Sequence, residues 1–202
     1  MSQNSRNFIV TGGISCGKSS VMRIIEKMGF KTFSSDKIVH DLYDDREMKN
    51  SIKKLFPEEE VFNKGETLNR KNLGKIVFND GNRRRELEKL VHPRVVEEIL
   101  SLRDKNKDQS IFFEVPLYSK VEDILLNSLD YDIISVDCNR DIQLKRLQKR
   151  QEISFEEAEN MIIVNDSWRN FKKTPLRIIC NNGTMEELQE KLKLFLIEEK
   201  LI

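Results

Sequence analysis

Phe8-Ile9-Val10-Thr11-Gly12-Gly13-Ile14-Ser15-Cys16-Gly17-Lys18-Ser19-Ser20 is the stretch on which the reading of this chain turns. Its first part is a short apolar run, and Lys18 to Met28 beyond it carries Val21, Ile24, Ile25 and Met28 on one face of a helix that Gly29 closes. Between them, residues 12–19 satisfy the pattern G-x-x-x-x-G-K-S/T in the strand-to-helix context that the pattern needs. Such a loop turns its amide hydrogens inward and adds the partial positive charge of a helix start, so it wraps phosphate. Lys18 is placed to bridge the terminal phosphates, and Ser19 to hold a magnesium ion. The bland alternative is a glycine-rich turn with a chance Lys-Ser. The nucleotide reading makes residues 12 to 19, with Ser20 behind them, an ATP site.

Outward from the loop, apolar runs alternate with charged segments of helical period, the pattern of a parallel sheet with crossover helices. The expected strands are Asn7–Thr11, Lys31–Ser34, Ser110–Glu114, Tyr131–Asp137 and Leu176–Asn181. That predicts an α/β, three-layer P-loop fold with a parallel five-stranded sheet. Residues 44–107 are highly charged, contain no good strand and read as helices inserted between strands two and three, a substrate-covering subdomain. Residues 140–170 read as a helical lid that opens on a cluster of Arg and Lys. With 202 residues, the chain fits one α/β domain with short subdomain insertions.

Composition narrows the partners. Lys and Arg number 35 against 34 Asp and Glu, so no net field points to nucleic acid or membrane, and a small polar ligand is the default. Cys16, Cys138 and Cys180 are too few and too scattered for a disulfide framework, and with His40 and His92 alone a zinc site is not expected. The apolar run at Phe8 is too short for a signal or spanning segment, so the chain reads as cytosolic, a monomer or weak homo-oligomer. A GTPase would need N-K-x-D, and the nearest approach, Asn139-Arg140-Asp141-Ile142, lacks it.

From Thr11-Gly12-Gly13-Ile14 through Gly17-Lys18-Ser19, the loop resembles the T-G-G-I-G-S-G-K-S start of dephospho-CoA kinases. Ser35-Asp36-Lys37-Ile38-Val39-His40 resembles that family's A-D-x-I-A-R/H segment. Arg70, Leu73, Val77-Phe78, Arg84, Leu87-Glu88 and Leu90-Val91-His92-Pro93 keep the spacing of its inserted region. Val115-Pro116-Leu117, the run from Gln143 to Arg150 and Asn181-Asn182-Gly183 continue the likeness. The chain departs from the pattern at Ser15, Cys16, Ser34, Lys120, Asn165 and Arg177, the last standing where an Asp is usual. The resemblance implies transfer of the ATP γ-phosphate to the ribose 3′-hydroxyl of dephospho-CoA, with Mg2+ between the phosphates.

Each candidate residue carries two readings. Asp36 is the carboxylate that takes the acceptor's proton, with a second contribution to the magnesium shell, or else a helix N-cap. Arg146 and Arg150, four apart, aim fork donors at phosphate from one helix face, or belong to a solvated basic face with Lys145 and Lys149. Arg140, Lys172 and Lys173 are weaker candidates for the same work. His92 holds the acceptor or is structural. Pro116 and Leu117 border the acceptor pocket, as the resemblance implies, or form a strand-exit turn. Arg70 and Thr11 join the acceptor side, although an exposed Arg paired with an acid is the default. Cys16, at a helix start, is expected to favour thiolate and to respond to oxidants, or to fill space. Trp168 with Phe171 packs a lid core or caps adenine.

Overall fold

The computed structural model describes residues 5–57, 61–64, 66–165 and 171–202. They divide into two compact units, residues 1–34 with 101–202, and residues 35–100.

The first unit is built on a five-stranded sheet in the order β2-β3-β1-β4-β5, every pairing parallel. Its strands are β1 (Asn7–Gly12), β2 (Lys31–Ser34), β3 (Ile111–Glu114), β4 (Asp132–Asp137) and β5 (Arg177–Cys180), each within a residue or two of the expected bounds. β1 lies at the centre, and Phe8, Ile9 and Val10 are wholly buried. Such an unbroken apolar run, with no polar alternation, is what a parallel strand covered on both faces requires. Phe8 stacks on Phe112 at 4.7 Å between ring centroids and meets Phe195 edge-on. After β1 the chain crosses to β2 at one edge and returns through β3, and β4 then lies on the other side of β1. The change of direction at β1 is a topological switch point, where α/β sheets bind ligands beyond their strand ends.

Helix α1 (Lys18–Lys27) buries Val21, Met22, Ile24 and Ile25, the face that the sequence predicts. It ends on two bonds of a Schellman motif, from the Gly29 amide to the Glu26 carbonyl and from Phe30 to Ile25. The other helices of this unit are α6 (Tyr118–Ser128), α7 (Arg140–Gln151), α8 (Phe155–Val164) and α9 (Met185–Glu198). α7 and α8, both within the stretch expected to be helical, share a small core of Leu144, Leu147, Ala158 and Ile162. Ser154 caps α8 in a full capping box with Glu157.

The second unit holds α2 (Ser35–Leu42), α3 (Arg46–Leu55), α4 (Arg70–Asn79) and most of α5 (Gly81–Lys105), which runs on past residue 100. Among its described residues the only extended pairing is a single antiparallel bridge between Phe62 and Leu68, in keeping with the absence of a good strand. Met48, Ile52, Leu73, Leu87 and Val91 are among its buried residues. Pro93 sits within α5, so that helix loses one ladder bond there. No described helix is long and apolar enough to cross a membrane.

Candidate active site

The loop between β1 and α1 lies at the carboxyl end of the central strand. Gly12 has φ 136°, and a Cβ there would stand 2.0 Å from the Val136 carbonyl oxygen, so β4 leaves room for no side chain. The Gly13 amide donates to that same carbonyl at 3.2 Å and ties the start of the loop to β4. Gly17 has φ 99°, and a Cβ on it would meet the Asn181 side chain at 2.2 Å. The two glycines of the motif are thus required by close approach as well as by conformation.

Among the described residues, the backbone N–H groups of Ile14, Ser15, Gly17 and Ser19 donate to no backbone carbonyl. Four donors left open at a helix start are the anion nest that the motif predicts. Lys18 Nζ lies over the loop, donating to the carbonyls of Gly12 at 3.0 Å and Gly13 at 2.9 Å. The Thr11 and Ser15 hydroxyls are buried with no hydrogen-bond partner among the described residues.

Ser15 adopts φ 57°, the left-handed conformation that favours glycine. A side chain there costs about 1 kcal/mol. Ser15→Gly relieves that strain and removes the orphaned hydroxyl, so it is expected to raise unfolding stability by about 1 kcal/mol, read as a rise of a few degrees in Tm. An unchanged or lowered Tm would show that the serine is accommodated without cost.

Glu114, at the end of β3 and only 9% exposed, was not among the expected site residues. It accepts a hydrogen bond from Ser19 Oγ at 3.2 Å, joining a buried carboxylate to the hydroxyl at the loop's end. The signal was present in the sequence as an acid closing the apolar run Ile111-Phe112-Phe113, a poor place for a charge unless something calls for it.

On α7, Arg146 donates to the Asn181 carbonyl at 3.0 Å, whereas Arg150, one turn on, is exposed. The shared face thus brings Arg146 to the loop after β5 and leaves Arg150 in solvent. Arg140 approaches Glu159 on α8. Lys172 and Lys173 are engaged elsewhere: Lys172 pairs with Asp123 of α6, and Lys173 bonds the Tyr131 carbonyl. Their amides both donate to buried Glu122, which Tyr118 also engages, so this segment is pinned to α6. Phe171 packs edge-on to Tyr118 rather than in the α7–α8 core, and Trp168 lies outside the described residues.

The surroundings of Cys16 disfavour the thiolate. Cys16 is wholly buried, and its hydrogen bond with Cys138, with desolvation behind it, pushes its thiol far above the ordinary range. Cys138 is the member that ionises first, favoured by the Cys16 thiol and by the charge of Arg146. A helix start lowers a thiol's pKa only where the thiolate stays solvated, and here the bond to Cys138, with burial behind it, outweighs that effect.

Pro116 and Leu117 form a turn that opens α6, the strand-exit geometry, with Leu117 54% exposed. Arg177 stands at the amino end of β5, paired with Glu198 and lying over Phe195 at 5.7 Å, so it braces α9 at the end of the sheet opposite the loop.

In the second unit, Asp36 lies inside the first turn of α2, exposed, and not at the capping position. Arg70 opens α4 and donates to the His40 carbonyl and to Asp44, both at 3.0 Å, the paired state expected of an exposed Arg. His92 is half-buried in α5.

The family model for dephospho-CoA kinase matches residues 8–187. The chain belongs to the dephospho-CoA kinase family. A dephospho-CoA kinase of Fusobacterium nucleatum is 30% identical over 186 residues, covering 92% of this chain and 94% of the relative. The crystal structure of TT1252 from Thermus thermophilus superposes with a TM-score of 0.75 at 25% identity, covering 97% of this chain and 98% of that one. The dephospho-CoA kinase from Campylobacter jejuni does so with a TM-score of 0.66 at 26% identity, over 97% and 98%. The family's P-loop fold is thus the one assembled above from strand order and loop.

Proposed function

We propose that this chain is a dephospho-CoA kinase: it transfers the γ-phosphate of ATP to the ribose 3′-hydroxyl of dephospho-CoA and releases CoA and ADP. The observation that carries the reading is the loop of open amides at the end of the central strand, within a chain that matches this family's model over residues 8–187. In this reading the Ser15, Gly17 and Ser19 amides hold the phosphates, and Lys18 leaves its loop carbonyls to neutralise the oxygens that gain charge during transfer. Asp36 accepts the proton of the 3′-hydroxyl, and Arg146, with Arg150 on the same helix, adds charge from α7. Thr11, Arg70, His92, Pro116 and Leu117 serve the acceptor side.

The Ser19 hydroxyl and the Glu114 carboxylate are hard oxygen donors in hydrogen-bond contact, the donor set that suits magnesium. They would hold the ion directly or through its waters, with Asp36 a further oxygen donor in the same role. When bound, magnesium neutralises phosphate charge and orients the group to be transferred. Glu114→Gln keeps the shape and the hydrogen bond while removing the charge. It is expected to raise the Mg2+ concentration for half-maximal rate about tenfold. An unaltered magnesium titration would exclude Glu114 from this role.

The reading is tested by ATP consumption with and without dephospho-CoA. Turnover is expected only in its presence, with ADP and a 3′-phosphorylated product in equal amounts. Stimulation by a nucleoside monophosphate or a shikimate-like alcohol instead would reassign the acceptor, and binding of ATP with no turnover on any acceptor would refute a kinase.

A further inference from the structure

Two buried amide side chains reach the nucleotide loop from far along the chain. Gln143, on α7 and 3% exposed, donates Nε2–H to the Ile14 carbonyl at 2.8 Å. Asn181, just past β5 and 6% exposed, donates Nδ2–H to the Cys16 carbonyl, also at 2.8 Å. Neither acceptor is in a regular element, and both peptide groups lie within the nest.

A peptide unit is planar and trans, so its carbonyl and the next residue's N–H point in opposite directions. Holding the Ile14 carbonyl outward therefore aims the Ser15 N–H inward, and holding the Cys16 carbonyl aims the Gly17 N–H inward. Those are two of the donors left open by the backbone. The Asn181 amide also fills the space beside Gly17 where a Cβ would sit, so the contact is tight as well as bonded. Asn181 is itself anchored: its backbone N–H donates to the Asp137 carbonyl at 2.8 Å, and its own carbonyl receives Arg146.

We propose that Gln143 and Asn181 are positioning residues of the phosphate site, two amide clamps that preset the Ser15 and Gly17 N–H groups, and that Asn181 couples the loop to Arg146. The inference rests on the nucleotide half of the reading above and not on the identity of the acceptor. Preorganised donors need no reorientation when the phosphate arrives, and that preset orientation is the gain in affinity the clamps supply.

The test uses Asn181→Asp, which keeps the shape but can no longer donate, and Gln143→Met, which keeps the length and removes both polar atoms. ADP affinity is measured by calorimetry on the full chain, followed by the Michaelis constants for ATP and dephospho-CoA and by thermal melts. Each variant is expected to weaken ADP about tenfold and to raise KM for ATP alike, with KM for dephospho-CoA within about twofold of the parent. Restoring a donor in Gln143→Asn should recover less than the parent, because the shorter side chain falls short of Ile14. Parent-like ADP affinity in both variants overturns the proposal. So does an equal weakening of both substrates together with a fall in Tm of about 10 °C or more, which marks general loosening. If Asn181→Asp does not fold, Gln143→Met decides alone. A parent that binds no ADP at all would instead refute the nucleotide reading.

Discussion

Lys18→Ala lowers kcat about a thousandfold while the protein stays folded: that is the largest effect expected of any single side chain here. The Lys18 ammonium already spans the loop, bonded to the carbonyls of Gly12 and Gly13. Those bonds are modest in the ground state, about 1 kcal/mol each, so their loss shifts Tm by only a few degrees. Charge that develops on the transferring phosphoryl oxygens is another matter, because a cation held beside them acts on it at close range. The effect should therefore fall on kcat, with ADP affinity reduced less. Lys18→Arg is not expected to rescue, since a planar fork does not fit where a compact ammonium bridges two carbonyls. A kcat within tenfold of the parent in Lys18→Ala would remove Lys18 from the mechanism.

Asp36→Asn should lower kcat by about 10²- to 10⁴-fold, the range for loss of a general base. The substitution keeps the side chain's shape and removes only its capacity to take a proton. Asp36 is exposed in the first turn of α2, where its charge also favours the helix, so the stability cost is held to about 0.5 kcal/mol. ADP binding should be unchanged, because the amides of residues 14–19 carry it. Normal turnover in Asp36→Asn would show that another group, or water, takes the proton, and would leave the family assignment standing.

The strands were legible because a parallel sheet covered on both faces writes itself as unbroken apolar runs, as at Phe8-Ile9-Val10 and Ile111-Phe112-Phe113. The loop was legible because its chemistry is local: eight consecutive residues contain the glycines, the Lys and the Ser. Roles decided by distant partners were not. Lys172 and Lys173 read as candidate phosphate ligands until buried Glu122 of α6 was seen to hold both of their amides. Arg177 drew notice as a departure where an Asp is usual, yet the direction of β5 puts it at the far end of the sheet against α9. Cys16 carried the helix-start signal for a thiolate, and packing against Cys138 in the core reversed it.

What the sequence by itself determined is the P-loop architecture and its family, since each depends on near neighbours along the chain and on hydrophobic period. Only the tertiary structure decided that Glu114 meets Ser19, that Gln143 and Asn181 hold the carbonyls of Ile14 and Cys16, and that Arg146 and not Arg150 turns toward the loop. The reason is separation: Asn181 and Cys16 are 165 residues apart, and a contact of that span leaves no periodic trace in the chain, being made when parallel strands align their carboxyl ends.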